Sequence, residues 1–293
     1  MTPKDLALAL VVIVAWGLNF VVIKVGLDGL PPMLLGALRF TLAALPAVFF
    51  VRRPAVPWRW LLAYGMTISV GQFAFLFYAM SVGMPAGLAS LVLQSQAFFT
   101  LLFAVPMLGE RFQPAHLVGL LVAACGLALI AAQSGDHAMT LAGFFFTLCA
   151  ASMWAMGNVI TRRIGKVNLV GLVVWGSLVP PIPFLLLSLG LEGPALIATS
   201  LRSISLDSIL ALVYLAFVAT LLGYGLWSRL LSRYPANQVA PFSLLVPVVG
   251  ISASSVLLGE RLGPLQYAGA ALVMLGLLMN LYGGRLWGRL RLA

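Results

Sequence analysis

Ten apolar runs of about 20 residues follow one another along the chain, separated by short stretches of charged and turn-forming residues. A helix needs roughly 20 residues to cross a hydrocarbon core, so each run predicts one transmembrane span. Only 8% of the 293 residues are charged and 62% are hydrophobic, which excludes a water-soluble globular protein. Because the runs are continuous rather than alternating, they also exclude an outer-membrane β-barrel. The predicted fold class is therefore an all-α polytopic membrane protein.

The boundaries of the predicted spans are set by Pro, Gly and charged residues between the apolar runs. The spans cover residues 5–24, 33–51, 60–81, 86–107, 115–133, 140–161, 168–189, 207–230, 236–258 and 264–283. The connections are short except for 190–206, where a longer loop is predicted from Gly190, Glu192, Gly193, Pro194 and Arg202. The first run is not followed by a small-residue cleavage site, so it is predicted to be a span and not a signal peptide.

Basic residues are distributed unequally between the two ends of these spans. Ten spans place both termini on one side, which then carries 13 of the 17 Lys and Arg residues: Lys4, Arg52, Arg53, Arg59, Arg111, Arg162, Arg163, Lys166, Arg229, Arg233, Arg285, Arg289 and Arg291. The opposite side has Lys24, Arg202 and Arg261, and Arg39 lies inside a span. Since basic loops stay in the cytoplasm, both termini are predicted to be cytoplasmic. The net charge of +10 thus reflects membrane orientation and does not predict nucleic-acid binding.

The second half of the chain repeats the first. Residues 85–130 align with 235–280 at a constant offset of 150, with ten identities over 46 positions. The turn Leu-Gly-Glu-Arg-x-x-Pro occurs at Leu108 and again at Leu258, and Asn19 near the start of the first half corresponds to Asn158 in the second. Five spans per unit give the two units opposite orientations in the membrane. Inverted repeats are typical of transporters whose substrate site lies at the repeat interface; a duplicated scaffold without transport is the alternative.

The motif Trp-Gly-x-Asn at Trp16 and the motif Gly-Glu-Arg-x-x-Pro after the fourth span resemble the drug/metabolite transporter superfamily. Within it, EamA-type exporters, including the YddG-like amino-acid exporters, are the most similar. The resemblance covers 1–284 and implies ten helices in two inverted five-helix repeats, 1–134 and 138–284, around a central cavity, with a basic cytoplasmic tail at 285–293. It also implies that the first, third, fourth, sixth, eighth and ninth spans form the cavity wall, and that the fifth and tenth are peripheral.

Polar side chains inside the spans are candidate substrate ligands, because polar groups in hydrocarbon face a cavity or a partner. Asn19 and Asn158 can each donate and accept hydrogen bonds to a substrate; an interhelical hydrogen bond is the alternative. Gln94 and Gln96 lie about 200° apart on an α-helix, so only one of them is expected to line a cavity. Their repeat equivalents are apolar, which favours a substrate with one polar and one apolar end.

Aromatic side chains complete the predicted site. Trp16 and Trp154 lie well inside their spans and are expected to stack on a substrate, whereas Trp58, Trp60 and Trp287 beside basic residues are typical interfacial anchors. The predicted substrate-binding residues are Trp16, Asn19, Gln72, Tyr78, Gln94, Trp154, Asn158, Trp175, Tyr224 and Gln238.

Arg39 is the one strongly basic residue several turns inside a span. It must meet backbone carbonyls, cavity water or an anionic ligand. A structural role is favoured because its repeat equivalent, near Val174 or Trp175, is apolar. Every Asp and Glu lies at an end of a predicted span or in a loop, and none is embedded in the middle of one. Proton exchange through an embedded carboxylate is therefore not expected, and lipophilic dications are predicted to be poor substrates.

Prolines and small residues predict where spans bend and where they pack. Breaks are expected from Pro106, Pro180, Pro181, Pro183, Pro241 and Pro247. Close helix packing inside the molecule is predicted, with a dimer contact as the alternative, from Gly119, Ala123, Gly126, Gly269 and Gly276.

These patterns, together with the resemblance to EamA-type exporters, predict a bacterial inner (plasma) membrane transporter that exports small polar metabolites by alternating access. Aromatic or neutral amino acids are favoured as substrates, with nucleotides, nucleotide sugars or drugs as the alternative. An enzyme is disfavoured because the sequence contains no HExxH or GxSxG motif, and a channel because charged rings and filter-like Gly loops are missing. The expected partners are a small-molecule substrate and the lipid bilayer, with no nucleic acid, metal or cofactor, in a monomer or weak homodimer.

Overall fold

The computed structural model describes residues 1–110, 114–133 and 139–290, and the long elements within these ranges are all helices. We number them α1 (Pro3–Gly29), α2 (Pro32–Val48), α3 (Trp58–Ser81), α4 (Ala86–Leu108), α5 (Pro114–Ala131), α6 (Leu141–Ile164), α7 (Leu169–Leu191), α8 (Pro194–Arg202), α9 (Leu206–Arg233), α10 (Ala240–Leu257) and α11 (Pro264–Leu290). The predicted link between the repeats falls mostly on 134–138, which lies outside the described residues, as do Arg111 and Arg291. Helix α11 continues through most of the predicted basic tail.

Eight of the described helices are long and apolar enough to cross a bilayer, namely α1, α3, α4, α6, α7, α9, α10 and α11. The protein is therefore a multi-pass helical membrane protein. Helix α2 has 17 residues, which corresponds to about 25 Å at the rise of an α-helix, less than the roughly 30 Å of the hydrocarbon core. The described apolar part of α5, His116–Ala131, is similarly short. The second and fifth spans, and with them the count of ten, thus stay predictions.

The connection 190–206 is more ordered than expected. The prediction of a loop there is wrong, because residues Pro194–Arg202 form α8. Gly193 has a φ of +83°, which turns the chain sharply after α7. Pro194 follows at the first helical position, where its fixed φ suits a helix and its missing N–H costs no hydrogen bond.

Two pairs of helices depart from α geometry at matching places. A π-helical segment occupies Gly65–Gly71 of α3 and another Tyr214–Leu222 of α9, the third and eighth predicted spans. A 3₁₀ segment occupies Leu93–Ser95 of α4 and Ala240–Leu245 of α10, the fourth and ninth. Mid-helix segments of both kinds are frequent at hinges and functional sites.

Some of the prolines predicted to break a span lie at an interruption of their helix, and Pro106 does not. Helix α7 is interrupted between Gly176 and Pro181, as predicted, and α10 changes from 3₁₀ to α geometry beside Pro247. Pro106, in contrast, lies within the continuous last segment of α4. The irregular segment of α4 lies instead at 93–95, well before Pro106 in the chain.

Helices α5 and α11 pack on each other through glycines. A Cβ added to Gly126 would lie 2.6 Å from the carbonyl oxygen of Gly269, and one added to Gly276 would lie 2.5 Å from that of Gly119. Ala123 is buried between them at 1% exposure. The prediction that these small residues pack helices inside the molecule is confirmed.

Replacing Gly276 with alanine should destabilise the protein, because the new methyl group would overlap the backbone of α5. Overpacking of this kind costs about 1–3 kcal/mol. The check is the melting temperature of the purified protein in detergent. Gly225→Ala is the matched control, since no atom lies within 4 Å of the added Cβ there; it should be neutral or stabilising by up to roughly 1 kcal/mol. Equal melting temperatures for the two variants would contradict the close α5–α11 contact.

Candidate substrate cavity

A cavity of about 360 Å³ lies between the helices near the middle of the bundle. This volume is within the range of sites that hold a small molecule. Its lining comes from α1, α2, α3, α4, α6, α7, α9 and α10, and none of the described residues of α5 or α11 contributes. The expected wall helices are therefore all present, and α2 and α7 contribute as well, through Arg39 and through Leu169, Leu172 and Val173.

Seven of the ten predicted substrate-binding residues line this cavity: Trp16, Asn19, Gln72, Gln94, Trp154, Asn158 and Tyr224. They come from five different helices that are far apart in the sequence. The structure thus brings together side chains from both predicted repeats, as a site at the repeat interface requires.

The other three predicted residues lie elsewhere. Tyr78 is 40% exposed and packs edge-on against Phe146, with ring centroids 4.9 Å apart. It follows Gln72 by six residues, a rotation of about 240° on an α-helix, so the two side chains leave α3 on different faces. Trp175 donates a hydrogen bond to the carbonyl oxygen of Val51 at 2.9 Å and does not line the cavity.

Gln238, the third of these residues, is exposed in the short helix Ala236–Val239 that precedes α10. In its place α10 presents Ser243 and Val246 to the cavity. The 3₁₀ winding of Ala240–Leu245 separates Gln238 from these residues, a departure from α geometry that spacing alone did not predict.

Gln94 and Gln96 both line the cavity, so the expectation that only one of them could do so is wrong. The reason is the 3₁₀ segment Leu93–Ser95. With three residues per turn, residues two apart lie about 120° from each other by the shorter path, against about 160° in an α-helix. The tighter winding turns both amides toward one wide cavity.

The amide side chains of α4 connect this helix to the second half of the chain. The Asn158 amide donates to Gln96 Oε1 at 2.8 Å and to Thr100 Oγ1 at 3.3 Å, joining α6 to α4. Gln94 Nε2 donates to the carbonyl oxygen of Ser243 on α10 at 3.2 Å. These amides therefore hold neighbouring helices while remaining at the cavity surface.

Aromatic rings form one wall of the cavity. Trp16 lies 5.2 Å from Tyr224 and 5.3 Å from Trp227, measured between ring centroids. Its indole N–H donates to the carbonyl oxygen of Ala219 at 3.0 Å, inside the π-helical segment of α9. The ring of Trp16 is thus fixed in place with its polar edge satisfied, which leaves an apolar surface for a substrate.

Arg39 is the only charged residue among the described residues that line the cavity. It is 2% exposed, and its Nη2 donates to Thr220 Oγ1 at 3.3 Å. Its Cζ lies 4.2 Å from the ring centroid of Phe73, within the range of a cation–π interaction. The sequence predicted that this guanidinium meets backbone carbonyls, cavity water or an anionic ligand. In the described part of the chain, no backbone carbonyl forms a hydrogen bond with it.

Sequence reasoning missed several lining residues. Tyr64, Phe73, Thr161 and Ser228 all face the cavity. The sequence feature that came nearest to indicating one of them is the position of Phe73 next to Gln72, because two adjacent residues can both reach a wide cavity. Thr161 and Ser228 lie close to the ends of their helices, where a hydroxyl is unremarkable in a sequence.

The cavity extends toward the end of the bundle where most of the basic residues lie. Its lining there includes Thr161, Leu169 and Leu231, each close to an end of its helix. At the other end the lining stops near Ser90, and Met84 and Leu88 beyond it are each 1% exposed. The chain therefore closes one end of the cavity with packed side chains.

Two glutamates hold that closed end together. Glu260, just beyond α10, accepts hydrogen bonds from the backbone N–H groups of Ala86 at 2.8 Å and Gly87 at 2.9 Å, at the start of α4. Glu192 likewise accepts from the N–H groups of Met33 and Leu34 at the start of α2. A carboxylate satisfies the free donors of a helix N-terminus and interacts favourably with the helix dipole.

Comparison with known proteins agrees with this architecture. The model of the EamA-like transporter family matches residues 4–132 and again 141–282. The chain belongs to the EamA-like transporter family. The match is made twice, once in each half, and covers all the helices that line the cavity.

Similar proteins extend over nearly the full chain. A probable amino-acid metabolite efflux pump of Salmonella typhimurium is 54% identical over 290 residues, covering 97% of each chain. The protein of the same description from Escherichia coli is 52% identical over 291 residues with the same coverage. A probable terminal-alkyne amino-acid exporter of Streptantibioticus cattleyicolor is 28% identical over 276 residues, 91% of this chain and 90% of the exporter.

A solved crystal structure also has this fold. It superposes with a TM-score of 0.64 at 20% identity and covers 95% of this chain and 96% of its own. The likeness concerns the fold alone. Membership of a transporter family identifies the protein as a multi-pass membrane transporter, with the cavity as its candidate site.

Proposed function

We propose that this protein exports amino acids, or metabolites closely related to them, across the inner membrane by alternating access. The observation that carries the proposal is the cavity itself: it is lined by amides and aromatic rings, it extends to one end of the bundle, and it is closed at the other. Relatives at 52–54% identity are described as probable amino-acid metabolite efflux pumps. Aromatic and neutral amino acids combine one polar and one apolar end, which matches the two kinds of wall.

Ten transmembrane helices in two inverted five-helix repeats are part of this proposal. The family match in each half supports it, and so do the π segments of α3 and α9 and the 3₁₀ segments of α4 and α10, which fall in corresponding spans. In this arrangement α2 and α5 span the membrane despite their length, and α8 is an additional short helix. Both termini lie in the cytoplasm, because that end carries most of the basic residues.

With this orientation the cavity opens toward the cytoplasm, and the end held by Glu260 and Glu192 faces away from it. Export then requires the closed end to open and the cytoplasmic end to close. The start of α4 and the end of α10 come from opposite repeats, so their separation is the movement that opens the outer end. The glycine faces of α5 and α11 are occupied within the molecule, which supports a monomer or weak homodimer.

No acidic residue lines the cavity in the described part of the chain. A proton relay through a carboxylate inside the membrane is therefore not part of the mechanism we propose. Substrate moves down its own gradient, and lipophilic dications, which need a negative partner, are poor substrates.

Counterflow in proteoliposomes tests the proposed function. Vesicles loaded with one unlabelled amino acid should accumulate the labelled form in a saturable manner, across a panel of aromatic and small neutral amino acids. Nucleosides, nucleotide sugars and cationic drugs form the comparison set. Faster counterflow of a compound from that set than of any amino acid would overturn the assignment of substrate.

The same vesicles test the driving force. An imposed proton gradient should leave the initial rate of amino-acid uptake unchanged, since the mechanism contains no titrating acid in the cavity. Accumulation against the amino-acid gradient that depends on the proton gradient would contradict this part of the proposal.

A further inference from the structure

Arg39 has more hydrogen-bond donors than partners. Among the described residues, its Nε and Nη1 are buried and have no acceptor, and only Nη2 is bonded, to the hydroxyl of Thr220. Phe40, Phe73 and Phe77 surround the guanidinium, with ring centroids 4.2–5.9 Å from Cζ. Aromatic faces stabilise a cation but accept no strong hydrogen bond, so the described residues leave the hydrogen-bonding capacity of these two buried nitrogens unused.

Among the described residues, two amide oxygens in the same cavity lack a hydrogen-bond donor, whereas the two nitrogens of Arg39 lack an acceptor. Asn19 Oδ1 and Gln72 Oε1 are buried acceptors without a donor in the described part of the chain. Their side chains are 8% and 3% exposed, and both residues line the cavity together with Arg39. Buried polar atoms are nearly always paired, so unpaired donors and unpaired acceptors around one cavity indicate a ligand that carries both kinds of partner.

We propose that the cavity recognises a zwitterion: Arg39 binds the carboxylate of the substrate, and the amide oxygens of Asn19 and Gln72 accept hydrogen bonds from its ammonium group. This assignment rests on the proposed export of amino acids. A guanidinium offers several donors to the two oxygens of a carboxylate, and an ammonium group has three N–H donors for neutral oxygens. In this proposal Arg39 meets an anionic ligand, which the sequence left open as the alternative to a structural role.

The distribution of charge makes the carboxylate the dominant group for recognition. Arg39 is the only ion that lines the described cavity, so the ammonium group meets dipoles and no negative charge. A substrate whose carboxylate is blocked would leave the guanidinium buried and unpaired, which is costly. Amino-acid esters and simple amines should therefore be poor ligands, whereas loss of the amino group should cost less.

The test compares analogues in the full-length protein in proteoliposomes. L-Phenylalanine and L-serine are the labelled probes, and the unlabelled competitors are their methyl esters, 3-phenylpropionate and phenethylamine. The wild-type protein should prefer each acid to its ester by at least about tenfold, as expected for a buried charge-assisted pair. In Arg39→Gln the affinity for the acid should fall at least about tenfold while that for the ester changes less than about twofold, which removes the preference.

Further variants separate recognition from folding. Arg39→Lys keeps the charge without the forked donors and should retain part of the preference. Gln72→Leu should weaken binding of L-phenylalanine while leaving that of 3-phenylpropionate almost unchanged. Arg202→Gln is the matched control, because this arginine is exposed outside the cavity and should leave all affinities as they are.

The outcomes distinguish the two proposals. If neither probe is transported by the wild-type protein, the proposed export of these amino acids fails. If both are transported and Arg39→Gln lowers the affinities for acid and ester equally, or changes neither, recognition of the carboxylate by Arg39 is wrong. If Arg39→Gln does not fold, the acid-to-ester ratio in Arg39→Lys and the amine dependence in Gln72→Leu decide the matter, and unchanged ratios in both overturn the proposal.

Discussion

Alanine in place of Glu260 is expected to expose the closed end of the cavity to water. The carboxylate accepts hydrogen bonds from two backbone N–H groups at the start of α4, and alanine can accept neither. A hydrogen bond to a charged group contributes about 1.5–3 kcal/mol, and a loss of about 2 kcal/mol changes an equilibrium by roughly 30-fold. The state that is open at this end should therefore become much more populated.

Thiol accessibility measures the change. Ser90 marks the deepest lining of the cavity toward the closed end and is 1% exposed, so Ser90→Cys is the reporter, in a background with Cys125 and Cys149 replaced by serine. A membrane-impermeant maleimide added from the side of the closed end should label this cysteine slowly in the parent protein. In Glu260→Ala it should label at least about tenfold faster, in line with the expected shift in population.

Glu110 provides the matched control for this experiment. It is the repeat counterpart of Glu260 but lies at the opposite end of the bundle, where its Oε1 accepts a hydrogen bond from Arg162 at 2.8 Å. Glu110→Ala should leave labelling from the closed side as slow as in the parent protein. An equal increase in both variants would mean that general loosening of the bundle, and not the bond from Glu260 to α4, controls access.

Loss of the Tyr224 ring should lower transport strongly. Tyr224 packs against Trp16 at the cavity wall, and an aromatic pair of this kind is worth about 0.5–1.5 kcal/mol beyond the area it buries. Alanine would free the Trp16 ring and enlarge the cavity at the same time. We expect the affinity for labelled L-phenylalanine in counterflow to fall about tenfold, as for truncation of a well-packed anchor residue.

Tyr78→Ala is the control for this variant, because it removes the same side chain from the surface of α3 outside the cavity. Its affinity should remain within about twofold of the wild-type value, the usual range for substitutions at exposed positions. If the two tyrosine variants lose affinity to the same degree, the cavity described here does not hold the substrate.

Much of the architecture could be predicted from the sequence because hydrocarbon imposes a simple rule. Each apolar run has to be a helix that satisfies its own backbone groups. The lengths of the runs and the Pro, Gly and charged residues between them therefore give most helix positions. The glycine faces of α5 and α11 could be predicted for a similar reason, since only small residues permit such close contact. Helix α8 was missed because its short apolar stretch is too brief to indicate a span.

The types of residue that form the candidate site could be predicted, but the side of the helix on which each residue lies could be predicted less well. Asn19, Gln72, Asn158 and Tyr224 line the cavity, as expected for polar groups that cannot face lipid. Tyr78 lies outside the cavity, because a tyrosine can pack its ring on a neighbouring helix and remain partly exposed. Direction around a helix depends on its winding, and the local changes of winding in α3, α4 and α9 leave no clear mark in the residues. The prolines of α10 indicate a break there but not which side chains the break turns toward the cavity.

Those changes of winding determine how any labelling or cross-linking of this protein has to be planned. A π turn contains an additional residue, so positions after it are displaced by about 100° from where an uninterrupted α-helix would place them. A single helical wheel drawn through α3 or α9 therefore assigns the wrong face to one half of the helix. The angular count has to start again at Gln72 and at Gly223, the residues that follow the two π segments.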